Sequence, residues 1–281
     1  MSTRTWLPAE WSKTIVLIEQ LKQDEKGENI FVPFGTGFIT EYENFNILVT
    51  CKHVVFDKEQ KNYIPNLYTS FNQKDGTLGR RSLEALKNDL GINWFFHKNP
   101  EIDLAIMPFG IDQTKDDIKR MGKDLFEKID DLAAGEEIFF LGFPALGIKM
   151  DKNIKPIVRS GIIALIQDDK TFLIDANVFP GNSGSPVFLK PSVMDFQTNT
   201  LGQIRPAKFI GIINSYLPYH DVAISPQTKR PRIVFEENSG LANVYSVSHI
   251  QEVFETDEFK AKIAELKTKN ETGQKEPEKK Q

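Results

Sequence analysis

FPGNSGSPVF, residues 179–188, sets two glycines around an Asn-Ser pair directly before an apolar run. Gly181 and Gly184 open backbone conformations on both sides of Asn182 and Ser183 that other residues avoid. A turn of this kind can aim the N–H groups of Gly181 and Ser183 at one spot beside the serine hydroxyl. Such a pair stabilises an oxyanion, with each donor worth roughly 3 kcal/mol. The same letters also spell an ordinary Gly-Asn turn. A serine hydroxyl is a weak nucleophile at neutral pH and needs a base, usually a histidine held by an acid. The reading of the turn therefore depends on what else the chain supplies.

The chain has four histidines. His53 closes the apolar stretch ILVTCKHVV, His97 precedes a Lys-Asn-Pro turn, His220 sits in the loop YLPYHD, and His249 opens a C-terminal helical pattern. His53 alone is held by a strand pattern beside a polar loop. In PEIDLAIMPF, Asp103 interrupts an apolar run. A carboxylate among Ile102, Leu104, Ala105 and Ile106 either faces the solvated side of an alternating strand or is buried. If buried it needs a partner. An imidazole N–H is a suitable one, and it fixes which ring nitrogen acts as base.

Around these residues run short apolar stretches rich in Val, Ile and Phe, cut by Gly, Pro, Asn and Asp. They include KTIVLIEQL, FVPFGTGFIT, EEIFFLGFP, IVRSGIIALI, TFLIDANVF, KFIGIINSY and GLANVYSV. This texture reads as many strands, hence an all-β barrel or sandwich. Two stretches carry helical spacing. Residues 115–132 align Ile118, Met121, Leu125, Ile129 and Leu132, and residues 250–266 align Ile250, Val253, Phe254, Ile263 and Leu266. The closing KTKNETGQKEPEKKQ offers no apolar side chain and reads as a solvated tail.

TCKHVV, EIDLAIM and GNSGSPVF, in that order, resemble the His, Asp and Ser motifs of the trypsin-like (chymotrypsin-fold) serine peptidases, most closely the bacterial HtrA/Deg-like branch. GTGFIT, LGFPALG, RSGIIALI, IGIINS and SGLANVYSV resemble strands of that fold. The resemblance implies two six-stranded antiparallel β-barrels followed by a C-terminal helix. The boundaries expected are an N-terminal barrel with connecting helix over 1–130, a second barrel over 131–250, and a helix with a charged, disordered tail over 251–281. It further implies a serine endopeptidase acting through an acyl-enzyme. Ser183 would be the nucleophile, His53 the base and then acid, and Asp103 its orienting partner. The N–H groups of Gly181 and Ser183 would form the oxyanion hole. The substrate, a protein or peptide, would lie along Asn177, Phe179, Asn214, Ser215 and Tyr216, adding as an antiparallel strand.

The chain departs from the pattern in places. Asn182 stands where digestive enzymes carry the aspartate that captures a freed N-terminal ammonium, so no activation by N-terminal cleavage is expected. Ser185 replaces a second glycine. Asn177 replaces the acid of a trypsin-type specificity pocket, which disfavours Lys or Arg at P1 and leaves a small or medium apolar residue as the expectation. With about 30 residues left after residue 250, no PDZ-like segment is expected there. The stretch 57–92 is a long insertion that would serve as a lid if it covered the cleft. Cys51, beside His53, reads as a buried thiol.

Lys and Arg number 35 against 39 Asp and Glu, a net charge of −4, which argues against a strongly basic nucleic-acid surface. NWFFHKN reads as core rather than a base-stacking platform, and KRPR at 229–232 as a solvated loop. No run of 18 apolar residues spans a membrane. No HExxH or CxxC spacing marks a metal site, and no cofactor is expected. One cysteine and a start, MSTRTWLPAEW, without an apolar h-region lead to the expectation of a cytoplasmic protein. The rivals to the peptidase are a latent or inactive module that binds extended peptides, with an unidentified regulatory partner as its gate, and an esterase on the same residues.

Overall fold

A computed structural model of the chain describes residues 9–147, 153–195 and 200–273. Every stretch read as a strand becomes one. A short helix, α1 (Ala9–Ser12), leads into β1 (Ile15–Gln23), β2 (Asn29–Tyr42) and β3 (Phe45–Thr50). A small hairpin of β4 (Phe56–Asp57) and β5 (Asn62–Tyr63) follows, then β6 (Leu67–Asn72), β7 (Leu78–Ser82), α2 (Leu83–Leu90), β8 (Phe95–Phe96) and β9 (Ala105–Pro108). These strands, the small hairpin apart, form one antiparallel sheet in the order β7-β6-β1-β2-β3-β9-β8. The expected first barrel is thus a seven-stranded sheet, with its order running from β7 at one edge to β8 at the other. The insertion is not a lid over its length, because β6 and β7 are members of this sheet, β6 pairing with β1 from Leu67 to Ser70.

The second half contributes β10 (Glu137–Gly142), β11 (Ile157–Ile166), β12 (Thr171–Asp175), β13 (Pro186–Leu189), β14 (Ser192–Asp195), β15 (Thr200–Arg205), β16 (Lys208–Ile224) and β17 (Pro231–Ser246). Six of them close into a barrel, β10-β11-β12-β17-β16-β13, with β14 and β15 pairing separately. Alternation explains the closure. Along β12, Phe172 and Ile174 point inward and are fully buried, as are Ala242 and Val244 on the neighbouring β17. The two halves meet where Phe38 of β2 packs edge-on against Phe209 of β16, beside the stacked pair Phe139 and Phe188 of the second half. Helices α3 (Val247–Phe254) and α4 (Asp257–Gly273) then return to the first sheet, where Phe254 and Phe259 pack on Tyr42.

Two helical expectations need revision. Residues 115–132 form no α-helix, only one-turn 3-10 segments at Lys123–Leu125 and Ile129–Asp131. Ile118, Met121 and Leu132 are buried and Leu125 and Ile129 partly so, but the backbone bonds to neighbouring strands. Met121 exchanges hydrogen bonds with Ile39 and Glu41, and Glu127 N–H donates to Phe209. Gly122 lowers the competing helical tendency. The expected tail is instead helical as far as Gly273, its charges paired along and beyond the helix, as in Lys269 to Glu265 and Lys267 to Glu43. Residues 274–281 lie outside the described residues. Trp94 and Phe95 are core, as their sequence suggested. Among the described residues no helix is long and apolar enough to cross a membrane.

Candidate functional site

His53 lies in a one-turn 3-10 helix, Lys52–Val54, directly after β3. Asp103 precedes β9, the strand that pairs with β3, so sheet register alone carries the carboxylate to the histidine. The contact is double. Asp103 Oδ1 accepts the backbone N–H of His53 at 2.8 Å, and Oδ2 closely contacts the ring at Nδ1. Asp103 is the buried partner and His53 the exposed one. Burial pushes the Asp103 carboxyl up, but the hydrogen bonds and charge of His53 outweigh it and hold the group below its ordinary value. With Nδ1 engaged by Asp103, Nε2 is the ring nitrogen left to exchange a proton.

The turn of Ser183 is held from several sides. Thr36, fully buried on β2, is the main anchor. Its N–H donates to Ser183 O at 2.9 Å, its hydroxyl donates to Gly181 O at 2.8 Å, and that same hydroxyl accepts the N–H of Phe143 at 2.9 Å. Thr36 O in turn accepts the Thr50 hydroxyl at 2.8 Å, which links the turn to the strand leading into His53. Gly184 N–H donates to Ile213 O at 2.9 Å, and the Cys51 thiol reaches the same carbonyl. Sequence reading missed Thr36 as a site residue. The signal available was its place between Gly35 and Gly37 in FGTGF.

Both glycines of the turn carry positive φ, +91° at Gly181 and +90° at Gly184. A Cβ at Gly184 would overlap the carbonyl of Thr36 and lie 2.6 Å from the Thr50 hydroxyl, so glycine is required twice over. Pro180 O accepts from Ala145 N–H at 2.8 Å, and Asn182 O from Ser185 N–H at 2.9 Å. In a planar trans peptide the C=O and the following N–H point in opposite directions. The N–H groups of Gly181 and Ser183 are therefore turned away from those anchors, and neither has an acceptor among the described residues.

The Ser183 hydroxyl donates to Asn214 O at 3.0 Å. Asn214 is fixed by its own amide, which donates to the Tyr245 hydroxyl, itself bonded to Glu101 O. Ser215 accepts from Asn243, and Tyr216 donates to Glu236 at 2.6 Å. Asn177 is exposed, with its carbonyl taken by Arg159, whose guanidinium lies over the half-buried ring of Phe179. Ala176 and Val178, between which Asn177 stands, point into the barrel core. Asn182 and Ser185 are buried, and their side-chain polar atoms make no hydrogen bond among the described residues. Ser185 fits because Gly142 has no side chain: a Cβ there would overlap the Ser185 hydroxyl.

Two clusters of three ligand-type side chains occur among the described residues, each with its donor atoms within 4.8 Å of one another: Cys51, His53 and Asp103, and His97, His249 and Glu252. In the first, burial pushes the Cys51 thiol well up, which disfavours its thiolate form.

The family model for a trypsin-like peptidase domain matches residues 35–191. A solved structure described as an HtrA-type protease with a tripeptide aligns over 87% of this chain and 60% of its own, at 16% identity and a TM-score of 0.46. A second, described as an HtrA-type protease with a decapeptide, aligns over 88% and 65%, at 14% identity and a TM-score of 0.46. The chain thus spans less than two thirds of the length of either. No curated protein matches it.

Proposed function

Because this chain belongs to the family of trypsin-like peptidase domains, we propose that it is a serine endopeptidase working through an acyl-enzyme. The observation that carries the reading is the doubly bonded His53–Asp103 pair, linked through Thr50 and Thr36 to a serine turn whose two N–H groups have no acceptor among the described residues. Ser183 Oγ attacks the scissile carbonyl carbon while His53 Nε2 takes its proton. The C=O bond opens to an oxyanion, which accepts hydrogen bonds from the N–H groups of Gly181 and Ser183. Asp103 stabilises the imidazolium and holds its tautomer. Collapse of the intermediate breaks the C–N bond, and His53 returns the proton to the leaving amine. Water, deprotonated by His53, then releases the acyl group by the same route. The acyl side of the substrate runs along Asn214–Tyr216, with Asn177 and Phe179 bordering P1. A neutral, apolar P1 suits Asn177, which offers no charge to a Lys or Arg. The lone buried cysteine fits a cytoplasmic setting.

One observation favours a second reading, a latent module that binds extended peptides. The Ser183 hydroxyl donates to Asn214 O and must leave that acceptor before His53 can take its proton. Labelling with a fluorophosphonate probe separates the two. An active site labels in the wild type and fails to label in Ser183→Ala and His53→Ala. A folded wild type that does not label, yet binds peptides, establishes the module instead.

A further inference from the structure

We propose that His97, His249 and Glu252 form a binding site for a borderline transition-metal dication such as Zn2+, one that fastens α3 to the chain just beyond β8. The three residues come from distant parts of the sequence, so no motif announces them. Helix α3 presents His249 and Glu252 three residues apart on one face, and His97, directly after Phe96, comes to meet them. Glu252 Oε2 lies 2.7 Å from His97 Nε2 and 3.4 Å from His249 Nδ1. Metal–ligand bonds of about 2.0–2.1 Å in a tetrahedral site put donor atoms roughly 3.3 Å apart, and the three donors here already lie within 4.8 Å of one another.

His249 supplies the independent observation. It is 4% exposed, and neither ring nitrogen makes a well-formed hydrogen bond among the described residues; its neighbouring acceptors are the Glu252 carboxylate, 3.4 Å away, and the Asp169 backbone. Two imidazoles and one carboxylate suit Zn2+ better than Mg2+ or Ca2+, which take oxygen donors. A cavity of about 530 Å3, lined in part by Asn99, Asp168 and Thr171, borders both histidines and gives water access to a fourth position.

The surrounding bonds set what binding must rearrange. Asn99 N–H donates to His97 Nδ1 at 3.1 Å, which places the ring proton on Nε2, shared with Glu252. A metal at Nε2 moves that proton to Nδ1 and displaces Asn99, an exposed turn residue. Lys170 holds the other Glu252 oxygen at 2.5 Å and competes electrostatically with a dication.

The proposal is independent of the peptidase reading and is tested on the full chain by titrating ZnCl2 against a competing chelator dye. One Zn2+ per chain is expected. Affinity should fall more than about tenfold in His97→Gln and in Glu252→Gln, the lower bound for losing even a ligand's supporting partner. It should rise in Lys170→Gln and persist in Cys51→Ala/His53→Gln, which dismantles the other cluster. A folded wild type that takes up no stoichiometric Zn2+, or binding lost only with Cys51 and His53, overturns the site. Imidazole 15N spectra of the wild type serve if a variant does not fold. Zn2+ should shift His249 and move the His97 proton from Nε2 to Nδ1, and unchanged signals from both rings refute the assignment.

Discussion

Thr36→Val replaces a buried hydroxyl by a methyl of nearly the same size and removes one donor and one acceptor. In the wild type that hydroxyl donates to Gly181 O and accepts from Phe143 N–H, both within 3 Å. Valine leaves a buried carbonyl and a buried N–H without partners, and Thr36 is fully enclosed, so water cannot replace the lost bonds. Each orphaned group costs about 1–3 kcal/mol, giving roughly 2–6 kcal/mol for the pair. At a urea slope of about 3 kcal/mol/M the unfolding midpoint falls by roughly 0.7–2 M. Thr36→Ser keeps the hydroxyl and loses one methyl group, about 1 kcal/mol. The catalytic effect has a different origin. Gly181 is fixed on one side by Ala145, through Pro180 O, and on the other by Thr36. Releasing the second anchor lets its N–H wander, so fluorophosphonate labelling of Thr36→Val should slow by up to about 10²-fold, the loss of one oxyanion donor. Thr36→Ser should label at close to the wild-type rate. If valine and serine variants have equal urea midpoints, the hydroxyl does not bridge the two strands, and the account of the turn fails.

Three further outcomes follow from the same geometry. Gly142→Ala sets a Cβ against the Ser185 hydroxyl, and less closely against Asn182 and Thr36, and should cost about 1–3 kcal/mol by overpacking, with part of it recovered in Gly142→Ala/Ser185→Gly; additive losses in thermal melts would count against the Ser185 contact. Asp103→Asn should slow labelling by up to about 10⁴-fold by presenting the wrong tautomer of His53. The carboxyl is held below its ordinary value of 3.8 in the folded chain, so its stabilising effect is present above that pH and is lost as pH falls through the depressed value. The stability gap between wild type and Asp103→Asn should accordingly shrink in acid, and a constant gap would mean that the pair is not ionic. The Cys51 thiol, enclosed and pushed up by burial, should resist alkylation in the native state and react in urea; rapid native modification would place it at the surface.

The strands were legible because each is a local statement. The apolar residues of TFLID alternate, with Phe172 and Ile174 in and Asp175 out. The candidate site was legible for a related reason: Gly181 and Gly184 mark positive φ, and an aspartate inside EIDLAIM needs a partner. Sequence also ordered His53, Asp103 and Ser183 along the chain and named them together.

What it could not decide was which distant groups would take up each hydrogen bond. The spacing of 115–132 suits a helix, but Ile39, Glu41 and Phe209 offered Met121 and Glu127 strand-like partners, and these outcompeted the local ones. The insertion at 57–92 could not declare itself part of the sheet until β6 met β1. Thr36 looks like any strand threonine until the turn, 145 residues later, is laid against it. His97 and His249 meet only when α3 returns to the first sheet. Local periodicity and conformational preference belong to the sequence. Closure of the barrel, the anchoring of the serine turn and the gathering of the two histidines belong to tertiary structure, because burial makes backbone polar groups find partners and the chain supplies those partners from far away.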